Sequence, residues 1–254
     1  MANDFSGDAN LQGLWLLESG ALTTDSSGNG NTFTDYNTVG TSATCKQGSY
    51  SGDFERNNAE YLARTDGGLN ANFPFKNGGA GTLSWCAWVK PESFVAGEYH
   101  PIFCKHVSGG TSYGIFLYCN DAGSVQVYKA VANNSSAGQE TITYGTALST
   151  GTWYHIAFTY NNTTKAYLLR VWDDTAGDYL DTDLSGSFTS ATTTFSTADF
   201  CIGSRSGYRF WDGLIDEAVV FNDILSTTEI DQIRAGTYGA AGATVKPWNY
   251  YAQQ

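Results

Sequence analysis

Apolar residues recur at every second position in short runs, and clusters of Gly, Asn, Ser and Thr separate those runs. Period-two alternation sends successive side chains to opposite faces of a strand, so the rhythm predicts about a dozen short β-strands. The clearest cover Leu14 to Glu18, Tyr50 to Phe54, Tyr61 to Arg64, Leu83 to Lys90, Pro101 to Lys105 and Tyr113 to Asn120. Others cover Ser124 to Val131, Trp153 to Tyr160, Lys165 to Asp173, Asp199 to Gly203 and Gly213 to Asn222. Connections such as "NNTT" and "DDTAGD" hold residues that accept a positive φ or bond their own backbone, and they read as hairpin loops. One segment, "LSTTEIDQIRAGTYG", carries a helical signature: Ser226 as N-cap, Glu229 as its capping-box partner, Ile230 and Ile233 on one face, and Gly236 at the stop.

Composition narrows this to a turn-rich all-β protein: 15% of residues are aromatic, 15% are charged, and 29 glycines stand against 4 prolines. At 254 residues a single sandwich domain over 1–239 is expected, followed by a tail over 240–254 that carries Trp248, Tyr250 and Tyr251. That tail is expected either to fold back on the sandwich or to dock on a neighbouring subunit. The net charge of -12 is spread over the chain with no basic stripe, which argues against nucleic acid as a partner. No window is apolar enough for a membrane helix, and "MANDFSGDANLQG" lacks the basic and apolar regions of a signal peptide. The five cysteines, Cys45, Cys86, Cys104, Cys119 and Cys201, show no C-x-x-C spacing, so most are expected to pack as small apolar thiols.

Two late segments, "GTWYHIAFTYNNTTKAYLLRVWDD" and "FCIGSRSGYRFWDGLIDEAVVFNDILSTTEIDQI", combine Trp153, His155 and Ala157 with Ile202, Gly203, Gly213, Ile215, Asp216, Glu217, Leu225, Ser226, Glu229 and Ile230. In order and spacing they resemble the last third of laminin G-like domains of the concanavalin A-like lectin and glucanase superfamily. The opening "LQGLWLLESGALTTDSSGNGN" resembles the first strand and turn of that family. The resemblance spans about residues 10 to 236 and implies a jelly-roll sandwich of two antiparallel sheets closed by one short C-terminal helix. Lectins, adhesion modules and glycosidases share that fold, so function has to be argued from the site.

Glycosidases of the superfamily place carboxylates at alternate positions of one strand as nucleophile and acid. No such pattern occurs, and Asp216 and Glu217 are adjacent, which in a regular strand directs them to opposite faces. Asp181 and Asp183 do alternate, but among turn residues, where a solvated loop is expected. None of His100, His106 and His155 sits in a nucleophile or zinc motif, and His155 is expected to pack in the sheet. A non-catalytic protein is the expectation. In "GLIDEAVVF" at least one of Asp216 and Glu217 must be partly buried, and a buried carboxylate needs a partner. Arg205 or Arg209, loop amides, or a cation can serve. The resemblance implies the third as one structural calcium ion, held by Asp25, Asn29 and Asn31 of "DSSGNGN" with Asp216 or Glu217. The alternative is a hydrogen-bonded turn organised by Asp25.

For ligand binding, "GSRSGYRFWDG" is the best loop, offering Arg205, Tyr208, Arg209 and Trp211 between glycines. Three functions are compared. The first favoured is a structural or interaction module of a virion or similar surface assembly, such as a phage decoration, tail or fibre protein. It would self-associate or dock on other subunits, is made in the host cytoplasm, and uses glycan adhesion as a surface role. The second is a lectin-like carbohydrate-binding module of a secreted, extracellular protein. The third, a glycosidase, lacks its carboxylate pattern.

Overall fold

The computed structural model describes residues 3–106, 114–130, 139–192 and 197–239. The run Gly213–Phe221 is buried along its whole length and has no face suited to water, so it becomes a central strand. Around it lies a nine-stranded antiparallel sheet. Its members are β1 (Leu11–Trp15), β3 (Gly40–Ser42), β4 (Ser51–Phe54), β6 (Thr82–Pro91), β11 (Tyr154–Asn161), β12 (Ala166–Asp173), β13 (Asp178–Tyr179), β14 (Leu184–Ser187) and β18 (Gly213–Phe221). The order is β13-β12-β11-β6-β18-β4-β3, with β1 added to β18 and β14 to β12. The facing sheet runs β10-β9-β8-β7-β15-β5-β2. Its strands are β2 (Thr34–Tyr36), β5 (Tyr61–Arg64), β7 (His100–Lys105), β8 (Ile115–Cys119), β9 (Ser124–Lys129), β10 (Glu140–Ala147) and β15 (Phe200–Ile202). A separate hairpin joins β16 (Ser204–Arg205) to β17 (Tyr208–Phe210), and one helix, α1 (Thr227–Ala235), follows β18. This is the expected all-β jelly-roll sandwich with a late helix.

Between the sheets the inward members of each strand form one core, including Trp15, Phe54, Trp85, Phe103, Leu117, Phe158, Phe200 and Ile215. The helix lies on the outer face of the larger sheet, where Ile230 and Ile233 pack with Leu11, Leu14, Val219 and Phe221. Each fully buried isoleucine contributes ~2 kcal/mol to that docking. The ends of α1 are as the sequence predicts: Ser226 and Glu229 complete a reciprocal capping box, and Gly236 stops the helix in a left-handed conformation.

Two expectations need correction. Strand β1 ends at Trp15 rather than reaching Glu18, because Leu17 takes φ +55 and turns the chain out of the ladder. Asp216 and Glu217 do not point to opposite faces. The pairing of β18 with β6 shifts register between Asp216 and Val219, and Glu217 sits at φ +44. This β-bulge inserts one extra residue, so Ile215 and Ala218 both face the core with two outward residues between them. Both carboxylates therefore lie on the outer face. The bulge coincides with a seam: β4 pairs with Gly213–Ile215 and β1 with Ala218–Phe221, end to end along one edge of β18.

Candidate binding surface

The loop "DSSGNGN" and the bulge are each closed by their own hydrogen bonds. Asp25 Oδ1 accepts from the amides of Leu14 (3.1 Å) and Ser27 (2.9 Å), and Oδ2 accepts from the amide of Asn31 (2.7 Å). Asn29 donates its side-chain amide to the Leu11 carbonyl (2.8 Å), and Asn31 donates to the Gln12 carbonyl (2.6 Å). Asn31 Oδ1 accepts from the amide of Asn70 (2.8 Å). The loop thus staples β1, with both Asp25 oxygens and Asn31 Oδ1 accepting backbone amides. A calcium ion needs six to eight converging oxygens, which this arrangement does not offer.

Asp216 and Glu217 find different partners. Asp216 Oδ2 accepts from the amides of Lys46 (2.7 Å) and Gln47 (2.9 Å), while Glu217 Oε1 accepts from Asn3 Nδ2 (2.8 Å). Of the three kinds of partner expected, backbone amides serve Asp216; Arg205 and Arg209 are engaged elsewhere. The hydrogen bonds of Asp25, Asn29 and Asn31 go to β1, to the loop itself and to Asn70, and none reaches Asp216 or Glu217. Among the described residues no three His, Cys, Asp or Glu side chains gather to hold a metal ion. Asp216 Oδ1 and Glu217 Oε2 are buried without a hydrogen-bond partner. Burial pushes the Glu217 carboxyl up to about 8, with the neighbouring Asp216 charge adding to the rise and the Asn3 bond opposing it. Burial likewise pushes Asp216 up to about 6 against the pull of its amide donors.

The predicted ligand loop divides. Trp211 is fully buried in the core, and its amide donates to the Gly203 carbonyl (2.8 Å). The hairpin spans only 204–210, so Trp211 has already rejoined the sandwich, and its expected role in ligand contact is corrected. The other three residues stay on the hairpin. Tyr208 is 55% exposed at its tip. Arg209, at φ +67, lies over the Tyr208 ring (4.8 Å) and pairs with Glu98. Arg205 stands over Phe116 (5.1 Å).

Around this hairpin further tyrosines gather on the outer face of the smaller sheet. Tyr36 stacks on Tyr61 at 4.4 Å with nearly parallel rings, and Tyr61 meets Phe210 at 6.1 Å. Tyr99, next to Glu98, packs on Tyr118 at 4.9 Å. Tyr36 and Tyr99 are 37% and 40% exposed; half-buried Tyr61 supports the first, and buried Phe116 and Tyr118 support the second. The result is a run of buried and half-buried rings on one face, with three exposed phenols and the Arg209–Glu98 pair along it. Tyr36 and Glu98 escaped sequence reasoning, since a three-residue edge strand and a lone loop glutamate carry no pattern. The predicted tail residues Trp248, Tyr250 and Tyr251 lie outside the described residues.

His155 is buried against Trp88 (5.2 Å), and burial pushes it down to about 3, so it stays neutral as a packed side chain. Burial does the same to His106, whose carbonyl accepts from the Ser206 hydroxyl (2.8 Å) and so anchors the hairpin.

No match was found among curated protein sequences. Among solved structures the chain is similar to domain 4 of AbnA, an extracellular GH43 arabinanase from Geobacillus stearothermophilus, solved in complex with arabinotriose. That likeness has a TM-score of 0.59 at 18% identity and covers 89% of this chain and 98% of that one. It is also similar to the botulinum neurotoxin serotype G binding domain, with a TM-score of 0.60 at 12% identity, over 88% of this chain and 50% of that one. A third likeness, to the enzymatically active domain of bacteriophage CBA120 tailspike protein 2, has a TM-score of 0.55 at 15% identity, over 82% of this chain and 30% of that one. The chain thus spans about half of the neurotoxin domain and under a third of the tailspike chain. These likenesses concern the fold. A family model matches residues 65–231, about two thirds of the sequence, and the chain belongs to the concanavalin A-like lectin/glucanases superfamily.

Proposed function

We propose that this chain is a non-catalytic glycan-binding module of a surface-exposed assembly, reading its ligand with the tyrosine face around the Ser204–Phe210 hairpin. One observation carries the reading. Of the six large apolar side chains exposed among the described residues, Tyr36, Tyr99 and Tyr208 gather on this one face. A phenol ring offers a flat apolar surface to the C–H face of a pyranose or furanose and a hydroxyl at its edge. The Arg209–Glu98 pair supplies a charged donor and acceptor beside it. The net charge of -12 disfavours anionic ligands and points to neutral glycans. The arabinotriose-bound arabinanase domain supports the ligand class, and the phage tailspike supports the assembly context of a virion or comparable surface.

The test is a glycan array probed with the parent protein and with Tyr36→Ala, Tyr99→Ala and Tyr208→Ala variants, each checked for an unchanged melting temperature. Each truncation is expected to weaken binding about tenfold, or ~1.4 kcal/mol. A parent that ignores every neutral glycan overturns the reading.

A further inference from the structure

The opposite side of the sandwich holds an open-sided cavity of about 460 Å³, lined by Arg170, Tyr179, Asp181, Thr182 and Asp183. It is a shallow depression open to solvent over most of its rim, with a polar lining, so it has room for one small unit at its surface. It forms because β12 alternates: Leu169 and Val171 enter the core, whereas Arg170 emerges on the outer face beside the start of α1. Asp181 and Asp183, expected in a solvated loop, form its wall.

The site is held in place before any ligand arrives. Arg170 Nε donates to both Asp183 oxygens (2.9 and 3.0 Å), and Nη1 donates to the Thr227 carbonyl and to Asp231 Oδ2, each at 3.2 Å. Its guanidinium rests 4.2 Å from the Tyr179 ring centroid, and the Tyr179 hydroxyl bonds Asp231. Strand β10 of the other sheet pins the wall: the Tyr144 hydroxyl donates to the Asp181 carbonyl (2.7 Å) and Thr146 Oγ1 to Asp181 Oδ2 (3.1 Å). Gly145 permits this approach, because a Cβ there would meet Asp181 Oδ2 at 2.4 Å.

The chemistry selects the ligand class. Arg170 is already balanced by Asp183 and Asp231, and Asp181 adds negative charge, so an anion is repelled. A cation finds no ligand set, because both oxygens of Asp183 and both of Asp231 are engaged by Arg170 and Tyr179, leaving Asp181 alone. What remains open is a mixture: Arg170 Nη2, which makes no hydrogen bond to the described residues, the Thr182 hydroxyl, and spare lone pairs on Asp181 and Asp183. Donor and acceptor side by side suit groups that both give and accept a proton in hydrogen bonding, which are vicinal hydroxyls. We propose that this cavity is a second binding site, taking one neutral polyhydroxylated unit such as a sugar residue of a glycan chain. It rests on the reading of the chain as a glycan-binding module and makes that module bivalent, with sites on opposite sheets able to bridge two glycan strands.

The experiment uses the full chain on an array of neutral oligosaccharides that includes arabinotriose. A triple variant, Tyr36→Ala/Tyr99→Ala/Tyr208→Ala, removes the tyrosine face. On that background Asp183→Asn and Thr182→Ala are added separately; Thr182 is exposed, so its truncation leaves the fold intact should Asp183→Asn not. The triple variant is expected to keep a neutral-glycan signal that either addition cuts about tenfold. A silent triple variant beside a binding parent overturns the second site and leaves the first. A residual signal indifferent to both additions also overturns it, and a silent parent overturns both.

Discussion

Replacing Glu217 by Gln tests the bulge where charge is most expensive. Glu217 is 3% exposed, Asp216 is fully buried, and the bulge turns both carboxylates to the same side. A carboxyl raised from its ordinary 4.5 to about 8 is displaced by 8 − 4.5 on the pH scale. At ~1.36 kcal/mol for each tenfold change in proton affinity, that links a ceiling of ~5 kcal/mol of folding free energy to the proton. Below pH 4.5 folded and unfolded chains both hold the proton, and stability keeps its full value. Between 4.5 and 8 only the folded chain retains it, so stability falls as pH rises, and above 8 the loss is complete. Because Glu217 resists ionisation beside an already ionised Asp216, the two titrate as a pair, and the burial of Asp216 contributes part of the loss. For a domain of this size, ~1 kcal/mol moves the melting temperature by ~2–4 °C, so the parent should melt roughly 10 °C lower at pH 8.5 than at pH 5. Glu217→Gln, a mimic of the protonated form, should match the parent at pH 5 and exceed it at pH 8.5. Calorimetry over this range checks it. A flat parent profile, or an equal slope in the variant, refutes the assignment.

The calcium implied by the family resemblance meets its test in Asp25→Ala. Losing a carboxylate that accepts three amides, with Leu14 and Asn31 buried, should cost ~2–4 kcal/mol, whereas a chelator should leave the parent's melting temperature unchanged; a chelator-sensitive parent would place a metal in the loop after all. Thiol titration with an aromatic disulfide should find one of the five cysteines reactive in the native state. Cys45 is only half-buried, its thiol raised by burial and by Asp216 and Glu18, whereas Cys86, Cys104, Cys119 and Cys201 are buried out of reach with their thiols pushed up by burial. Two or more fast thiols would show that a sheet opens.

What could be read from the sequence was whatever one short stretch determines by itself. The capping box at Ser226, the stop at Gly236 and the strands Tyr61–Arg64 and Ser124–Lys129 each follow from local spacing. Strands β2, β3 and β14 are mostly exposed edge pieces of three or four residues whose existence depends on the neighbour they pair with. Glu140–Ala147 is similarly an exposed edge, with little apolar alternation to reveal it. The bulge at Glu217 was hidden for another reason: alternation presumes a regular ladder, and only the end-to-end seating of β1 and β4 shows where the ladder skips. At the candidate surface the Gly-flanked hairpin was visible, and the structure puts Arg205, Tyr208 and Arg209 on it. Trp211 misled because a tryptophan one residue beyond a hairpin looks the same in sequence whether it faces solvent or the core. The second cavity unites residues 170, 179–183, 227 and 231 across two elements, a convergence that no local pattern encodes.

The Asp4 amide donates to the Tyr238 carbonyl, and the Tyr238 amide returns a bond to Asn3 Oδ1, each at 2.8 Å. Phe5 and Tyr238 pack ring against ring beside them. The backbone therefore enters and leaves the sandwich through one corner, like a loop drawn shut by its own string. Such a unit can be spliced into a surface turn of a host protein, or cut and rejoined in a different order, without stretching either partner. A pull on both ends would load that corner first and reach the seam between β1 and β18 long before it disturbed the sheet bearing the tyrosines.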